Sequence, residues 1–267
     1  MFFSRKNKKL TKKEITLIPR SYDVVGDILI FSEFPDELKK KEKLVGEYVL
    51  TSHPRIRTVT RKSKSYSGKF RTPKLKVLAG EKNKETIHKE NGVRIKVNPE
   101  KAYYSSRSGT ERLRIAKQVK KDENILVMFS GVAPFPLTLA KHTKAKNIIG
   151  IEINPEGHKY GEENIKLNKF NNIKLYKGDV TKVLPKLKIK FDRIIMPLPK
   201  TSEQFMNLAK SKLKKNGTIH LYTFVKKEDF ITIKKKYSED FKVSLVKAGS
   251  PSPGKFRVCL DMKYLQS

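Results

Sequence analysis

Residues 124–135 have the sequence NILVMFSGVAPF, and this stretch decides the fold. The apolar run at 124–129 has the length and composition of a buried β-strand, and mainly small residues follow it from Ser130 to Phe135. Small side chains are needed where a backbone passes close to a ligand, and parallel sheets bind ligands at the carboxyl ends of their strands. A single turn of this kind predicts a nucleotide site only weakly, so the sequence around it has to be considered as well.

From residue 99 onward, strand-like and helical segments alternate, which is typical of a doubly wound parallel sheet. The last segment, 241–264, is predicted to form two strands joined by a loop rich in Gly, Pro and Ser. The other predicted strands are NILVMF (124–129), NIIGIEI (147–153), NIKLYKG (172–178), RIIMPL (193–198) and TIHLYTF (218–224). We therefore expect an α/β fold with a mainly parallel seven-stranded sheet in this half.

Helical spacing of apolar residues predicts three long helices. They are expected at 35–50, at 157–169 and at 201–215, the last closed by Asn216 and Gly217.

The carboxyl ends of four predicted strands carry residues suited to a nucleoside ligand. Glu152 follows the glycine turn by about 20 residues, the spacing at which a carboxylate accepts hydrogen bonds from ribose hydroxyls. Asp179 can meet the amine of adenine or cap the next helix, and the sequence leaves both roles open. The prolines after the fourth strand fix the backbone and are expected to expose carbonyls toward the reacting group. The predicted cofactor-binding residues are Phe129, Ser130, Gly131, Val132, Glu152, Ile153, Asn154, Asp179, Val180, Pro197, Leu198 and Pro199.

The glycine content of the first turn indicates which cofactor it accepts. The segment FSGVAPF has one glycine, so it makes no room for a pyrophosphate. S-adenosylmethionine is therefore favoured over NAD.

The N-terminal part has a different pattern. Residues 1–98 are predicted to form a small, basic α+β lobe, followed by the nucleotide-binding domain at 99–267. Within the lobe, the basic stretch 59–76 contains enough Ser, Gly and Pro to predict a loop, either solvated or in contact with RNA through Tyr66 and Phe70.

The charge balance points to a polyanionic partner. The 267 residues include 60 Lys and Arg against 27 Asp and Glu, a formal charge of +33. A single cysteine, Cys259, excludes an intrachain disulfide and a multi-cysteine metal site, and the five histidines lack metal-ligand spacing, so we expect no metal. His142, His158, His220 and Cys259 are predicted to be structural. No apolar run is long enough for a membrane span or signal peptide, so we expect a monomeric, cytoplasmic protein without a membrane or protein partner.

Several stretches together resemble the archaeal and eukaryotic family of tRNA guanosine-37 N1-methyltransferases, whose architecture is shared by wyosine-pathway aminocarboxypropyl transferases. The resemblance spans about residues 70–224 and rests on FRTPKLKVLAG, KAYYSSRSGTERLRIA, VMFSGVAPF, GIEINP, EENIKLNK, DRIIMPLPK and GTIHLYTF. It implies a Rossmann-like class I methyltransferase that uses S-adenosylmethionine and binds the tRNA anticodon loop.

The resemblance also implies two catalytic residues. Glu111 would be the general base for the guanine N1 proton, and Arg71 would stabilise charge on guanine O6. Without the resemblance, Glu111 would be a helix-dipole acid and Arg71 a phosphate contact. The predicted RNA-binding residues are Arg71, Arg107, Arg112, Arg114 and Lys200.

Three positions depart from the family pattern. Family members often carry Asp at Val127, a second glycine at Ala133 and Asn at Pro197. Two other functions therefore stay open, namely transfer of an aminocarboxypropyl group or methylation of a wyosine precursor, and non-catalytic RNA binding. Because no further small domain precedes the lobe in this sequence, we expect tRNA affinity to depend on the basic surface.

Overall fold

The computed structural model describes residues 9–68, 70, 72–198, 201–250, 252 and 254–265, with side chains omitted at 64–67. The chain divides into two compact units. One consists of Met1–Lys89 and Lys96–Ser106, and the other of Glu90–Ile95 and Arg107–Ser267. The boundary predicted after residue 98 falls within the second segment of the first unit.

Up to residue 97 the chain forms α1 (Lys12–Thr16), β1 (Tyr22–Val25), β2 (Ile28–Phe31), a 3-10 helix (Asp36–Lys41), α2 (Glu42–Ser52), β3 (Thr58–Ser67), β4 (Thr72–Gly80), β5 (Thr86–Glu90) and β6 (Val93–Val97). The first unit contains a four-stranded sheet with the strand order β1-β2-β3-β4. β2 and β3 are parallel and the two outer pairs are antiparallel, with α2 in the β2–β3 connection. The core between α2 and the sheet includes Phe31, Leu38 and Val45.

The prediction that the basic stretch 59–76 forms a loop is wrong. Most of this stretch lies in β3 and β4, which pair as an antiparallel hairpin with several register shifts. In the first part of β4, buried Pro73 and Leu75 alternate with exposed Lys74 and Lys76, a period of two that the lysine and proline content obscures. The alternation is interrupted before buried Leu78, where the register with β3 shifts.

The helix predicted at 35–50 is only partly confirmed. Asp36–Lys41 forms a 3-10 helix, and the α-helix begins at Glu42 because Lys41 leaves helical geometry, with φ −121° and ψ 20°. Glu42 is buried and pairs with Arg61 and Lys76, which fixes the start of α2 on the sheet.

From residue 109 onward the second unit forms α3 (Gly109–Ala116), β7 (Asn124–Met128), α4 (Pro134–His142), β8 (Asn147–Glu152), α5 (Pro155–Asn168), β9 (Ile173–Lys177), α6 (Val180–Val183), β10 (Phe191–Met196), α7 (Met206–Ser211), β11 (Leu213–Lys226), α8 (Phe230–Lys235), β12 (Phe241–Lys247) and β13 (Lys255–Tyr264). Its strands form a seven-stranded sheet with the strand order β12-β13-β11-β10-β7-β8-β9. The five strands from β11 to β9 are parallel, while β13 is antiparallel to both of its neighbours. The predicted mainly parallel sheet and closing hairpin are therefore confirmed.

The helix predicted at 201–215 is shorter in the structure. A 3-10 turn precedes α7, which ends at Ser211, and β11 begins at Leu213. Asn216, with φ 56°, lies in an irregularity of β11 rather than at a helix cap. Leu213 points into the core beside β10, which explains why the helical spacing of apolar residues extends beyond the helix.

Within the described part of the chain, no helix has both the length and the apolar character needed to cross a membrane.

Candidate active site

The backbone between β7 and α4 forms what we call the strained turn, Phe129–Ala133. Three alternate residues have left-handed backbone angles, with φ 60° at Phe129, 56° at Gly131 and 67° at Ala133. Each non-glycine residue in this region costs about 1–3 kcal/mol, so the surrounding structure must hold the turn. The Ser130 amide donates to the carbonyl of Ile151, and the Ala133 amide donates to that of Ser130. Ala133 thus occupies a conformation that glycine would adopt more easily.

Glu152, at the end of β8, supports the strained turn from the next strand. Its carboxylate accepts hydrogen bonds from the amides of Gly131 at 2.6 Å and Asn154 at 2.7 Å. Burial raises the pKa of Glu152, and these backbone donors only partly oppose that effect. A buried carboxylate at this strand end gains from additional hydroxyl donors, as a ribose would provide.

Beneath the turn, Gly150 and Ser130 lie in close contact. A β-carbon at Gly150 would lie 2.9 Å from Ser130 Oγ and 2.5 Å from Leu175 Cδ2. Ser130 is 3% exposed, and its hydroxyl has no hydrogen-bond partner among the described residues. A buried hydroxyl without a partner loses its solvation without compensation, so Ser130 is a costly feature of this turn.

The end of β9 bears out one of the two roles considered for Asp179. Its Oδ1 accepts from the amide and the hydroxyl of Thr181, so Asp179 caps α6. Contact with an adenine amine stays a prediction.

The end of β10 differs from the expectation of exposed carbonyls. Ser202, 1% exposed, donates to the carbonyls of Met196 at 3.3 Å and Leu198 at 2.6 Å. Sequence analysis missed Ser202, because only the loop geometry shows that it turns back onto these carbonyls. Pro199 and Lys200 lie outside the described residues.

Glu111 lies in the first turn of α3 and is 8% exposed. Its Oε1 accepts from Arg114 Nη2 at 2.7 Å and from the Tyr222 hydroxyl at 2.8 Å, and its Oε2 accepts from Arg114 Nε at 2.8 Å. The ring of Phe135, in the first turn of α4, lies 6.1 Å from the Tyr222 ring. The carboxylate is therefore held near the helix that follows the strained turn.

Arg114 also binds Asp261 of β13, and this contact connects Glu111 to further charged side chains on the sheet. Asp261 accepts from His220 Nδ1 at 2.6 Å, and His220 Nε2 accepts from Arg193 at 2.6 Å. Arg193 in turn forms two hydrogen bonds to Glu123. We call the following set the charge network: Glu111, Arg114, Asp261, His220, Arg193 and Glu123.

Two pKa shifts follow from the packing of this network. Burial lowers the pKa of His220. Burial alone would raise the pKa of Asp261, but hydrogen bonds from His220 and Arg114 hold it well below its usual range. The prediction that His220 has a structural role without a partner therefore overlooked two ionic partners. Cys259 is buried as predicted, and burial raises the pKa of its thiol.

Two of the arginines predicted to bind RNA are engaged elsewhere. Arg112 is 3% exposed and forms two hydrogen bonds to Glu90, and Arg114 is held between two carboxylates. These ion pairs already engage both guanidinium groups, and their assignment as phosphate ligands stays a prediction. Arg107 is exposed, and its RNA contact stays a prediction, whereas Arg71 lies outside the described residues.

His220, Cys259 and Asp261 place their potential ligand atoms within 4.8 Å of one another, a spacing compatible with a metal ion. A cation there would face two permanent guanidinium charges, on Arg114 and Arg193, and a thiol that burial keeps protonated. The electrostatics favour the charge network over a metal centre.

The sequence matches two family models. Residues 86–246 match the TRM5/TYW2 methyltransferase domain, and residues 6–83 match the TYW2 N-terminal domain.

Three similar proteins have curated names. The tRNA (guanine(37)-N(1))-methyltransferase Trm5b of Pyrococcus abyssi is 42% identical over 78% of this chain and 61% of its own length. The tRNA 4-demethylwyosine(37)-methyltransferase Taw21 of Saccharolobus solfataricus is 34% identical over 90% of this chain and 92% of its own length. The tRNA(Phe) (4-demethylwyosine(37)-C(7)) aminocarboxypropyltransferase of Methanocaldococcus jannaschii is 33% identical, with coverages of 91% and 97%. The chain therefore spans about three fifths of the Pyrococcus abyssi relative and nearly all of the other two.

Solved structures agree with this relationship. Trm5b from Pyrococcus abyssi superposes with a TM-score of 0.83 at 34% identity, covering 97% of this chain and 79% of that one. The complex of aTrm5 with tRNALeu gives a TM-score of 0.83 at 35% identity, with coverages of 94% and 74%. TYW2 of Pyrococcus horikoshii in complex with MeSAdo gives 0.80 at 27% identity, with coverages of 97% and 96%.

Proposed function

The chain belongs to the TRM5/TYW2 methyltransferase family, and from that premise we propose that it transfers a methyl group from S-adenosylmethionine to N1 of guanosine 37 in tRNA. The predicted family, fold class and cofactor type agree with the relatives described above. The residue assignments that follow are part of the proposal.

The strained turn is the observation that carries the proposal. Its left-handed residues bring backbone next to Glu152, and Ser130 offers a buried hydroxyl without a partner. This set of donors and acceptors fits the ribose and amino-acid parts of S-adenosylmethionine. When bound, the cofactor supplies an electrophilic methyl carbon on a sulfonium.

Glu111 is proposed to take the N1 proton of guanine. Because that N–H is too weakly acidic to leave unaided at neutral pH, a carboxylate in a site sheltered from water has to accept the proton. Arg71 is proposed, from the family resemblance alone, to stabilise charge on O6. Arg107 and Lys200 are proposed to contact tRNA phosphates.

The tRNA partner is supported by the formal charge of +33 and by the relative bound to tRNALeu. We propose that phosphate contacts dominate the affinity, which should fall roughly tenfold or more between 50 and 200 mM salt. We also propose a cytoplasmic location, because a chain with a single cysteine suits a reducing compartment, and we propose that the protein is a monomer.

A second candidate function is favoured by the match of residues 6–83 to the TYW2 N-terminal domain. The relatives also include an aminocarboxypropyltransferase at 33% identity and a demethylwyosine methyltransferase at 34% identity. In the first case the enzyme would transfer the aminocarboxypropyl group, through a different carbon bonded to the sulfur of S-adenosylmethionine. In the second case the same pocket would accept a wyosine precursor in place of guanine.

Nucleoside mass spectrometry with two isotopically distinct donors tests the proposal. Unmodified tRNA is incubated with enzyme and S-adenosylmethionine labelled either on the methyl carbon or on the aminocarboxypropyl chain. We expect 1-methylguanosine that carries only the methyl label and disappears when guanosine 37 is replaced by adenosine. Retention of the aminocarboxypropyl label would establish the second function instead, and absence of both labels would contradict enzymatic transfer to this substrate.

A further inference from the structure

Arg114 lies between two carboxylates that come from different elements. It binds Glu111 on its own helix through Nε and Nη2, and it binds Asp261 of β13 through Nη1 at 2.5 Å and Nη2 at 3.2 Å. Because Asp261 lies against the same guanidinium, its negative charge offsets part of the attraction that Arg114 exerts on Glu111.

Asp261 already has all the donors that a carboxylate can readily accept. It receives five hydrogen bonds, from Arg114 Nη1 and Nη2, His220 Nδ1, Cys259 Sγ and Gln118 Nε2. A carboxylate with this many donors is a poor base, since protonation would break several of these bonds. Asp261 can orient Arg114, but it is not itself suited to accept a substrate proton.

Glu111 has fewer donors, and they are unevenly distributed. Among the described residues, Oε1 accepts two hydrogen bonds, from Arg114 and Tyr222, whereas Oε2 accepts one, from Arg114. Each carboxylate oxygen has two acceptor positions, so Oε2 keeps one for an incoming proton.

The charges of the whole network give a reason why Glu111 can act as a base beside an arginine. Three carboxylates, Glu111, Asp261 and Glu123, face two guanidiniums, Arg114 and Arg193, which leaves one net negative charge. His220 adds none, because its Nε2 accepts from Arg193 and its Nδ1 therefore carries the proton given to Asp261. Protonation of Glu111 would bring the buried network to neutrality.

We propose that Asp261 is a positioning residue for proton transfer. It binds Arg114 so that the arginine does not fully neutralise Glu111, and it leaves Glu111 Oε2 open to guanine N1. This inference rests on the proposed function of Glu111 as the base. Nothing in the motif around Glu111 points to Asp261, which lies 150 residues later in the chain.

Among the described residues, the titratable or charged groups near Glu111 come from three elements. Arg114 is on the same helix, Tyr222 is on β11, and Asp261 and Cys259 are on β13. From α4, the neighbouring group is the uncharged ring of Phe135. Removal of the Asp261 charge should therefore strengthen the attraction between Arg114 and Glu111.

The test is a pH–rate profile of Asp261→Asn under single-turnover conditions with whole tRNA. The substitution keeps the side-chain shape and removes one negative charge. We expect the rate at pH 7 to fall by up to about tenfold, because the base weakens. The acidic limb of the profile should move to lower pH by about one unit, because the Asp261 charge no longer offsets the attraction of Arg114 for Glu111. The KM for tRNA and the calorimetric affinity for S-adenosylmethionine should change less than about threefold.

Two further variants separate positioning from general damage. His220→Asn perturbs the same packing without removing a network charge, so its rate should fall while the acidic limb stays in place. Asp240→Asn makes the same chemical change in a carboxylate that pairs with Lys210 outside the network, and it should behave like the wild type.

The outcomes distinguish this inference from the proposed function. If the wild-type protein methylates tRNA and folded Asp261→Asn keeps its rate and its acidic limb, the positioning role is wrong and the methyltransferase function stands. If Asp261→Asn does not fold, a folded Asp261→Ser variant, which also removes the charge, would overturn the role in the same way by keeping the wild-type rate and acidic limb. If the wild-type protein transfers no group to tRNA, the proposed function itself fails.

Discussion

The strained turn draws its geometry from five consecutive residues, whereas the charge network collects side chains from the length of the second unit. In the turn, left-handed backbone at Phe129, Gly131 and Ala133 does the shaping, and the side chains are mostly small. In the network, α3, the segment before β7, β10, β11 and β13 each contribute ionic or hydrogen-bonding groups through regular backbone.

This difference determines which property of the protein a mutation in each region should change. Strain in the turn is local, so a change there alters the shape presented to a ligand and has a limited effect on overall stability. The network buries charges that depend on one another, so the loss of one member leaves its partner desolvated. We therefore expect the network to respond mainly in stability and pH dependence, and the turn mainly in cofactor binding.

The largest expected effect tests the network at Arg193. Arg193→Met removes the guanidinium that serves Glu123, His220 and the carbonyl of Gln118. Because Glu123 stays buried without its counter-charge, we expect the free energy of unfolding to fall by about 3–5 kcal/mol. Urea unfolding followed by circular dichroism measures it.

Lys214→Met is the matched control, since Lys214 pairs with Asp192 on the same strand as Arg193 but is 40% exposed. A surface pair of this kind contributes about 0–1 kcal/mol. Equal losses in the two variants would remove the distinction between buried network and surface pair.

The two regions also differ in how well the sequence predicts them. The turn and Glu152 are separated by one helix and one strand, and small residues and a carboxylate at successive strand ends indicate a ligand edge without any coordinates. The parallel sheet follows from the same alternation. The network could not be predicted, because the pairing of His220 with Asp261 depends on the register between β11 and β13.

Other differences between sequence and structure have the same physical origin. Arg112 and Arg114 belong to a motif rich in basic residues and resemble phosphate ligands in sequence, but Glu90 and Asp261 reach them through tertiary contacts. The irregularity at Asn216 depends on how β11 pairs with β10, and its Asn-Gly sequence alone resembles a helix end.

The next effect concerns the pH dependence of the network. Burial lowers the pKa of His220 from an ordinary value of 6.5, so on acidification the unfolded chain binds this proton first. Stability from this group is complete above about pH 6.5 and falls as the pH decreases, by up to about 2 kcal/mol between pH 6.5 and 5. His220→Asn should flatten that part of the stability curve.

Urea midpoints measured across pH 5–8 provide the comparison, with His142→Asn as the control because His142 is exposed. An unchanged slope in His220→Asn would show that the pH dependence arises elsewhere.

A smaller effect is expected in the turn at Gly131. Gly131→Ala places a β-carbon at φ 56°, which costs about 1–2 kcal/mol, and the residue donates its amide to Glu152. We expect a comparable loss of stability together with at least tenfold weaker binding of S-adenosylmethionine, measured by calorimetry. Binding at wild-type strength would contradict the assignment of this turn to the cofactor.

Ala133→Gly should have the smallest effect on stability, because two contributions oppose each other. Glycine relieves about 1–2 kcal/mol of left-handed strain at φ 67°. The loss of a fully buried methyl group costs about 0.8 kcal/mol, and greater freedom of the unfolded chain costs about 0.5–1 kcal/mol. The net change should lie within about 0.8 kcal/mol of zero. Lys169→Gly supplies the reference, since Lys169 is exposed with φ 58° at the end of α5 and loses no buried group, so that variant should gain about 0.5–1 kcal/mol. If Ala133→Gly gained as much stability as Lys169→Gly, the buried methyl group of Ala133 would contribute nothing to the stability of the turn. Backbone strain alone would then account for the effect of the substitution.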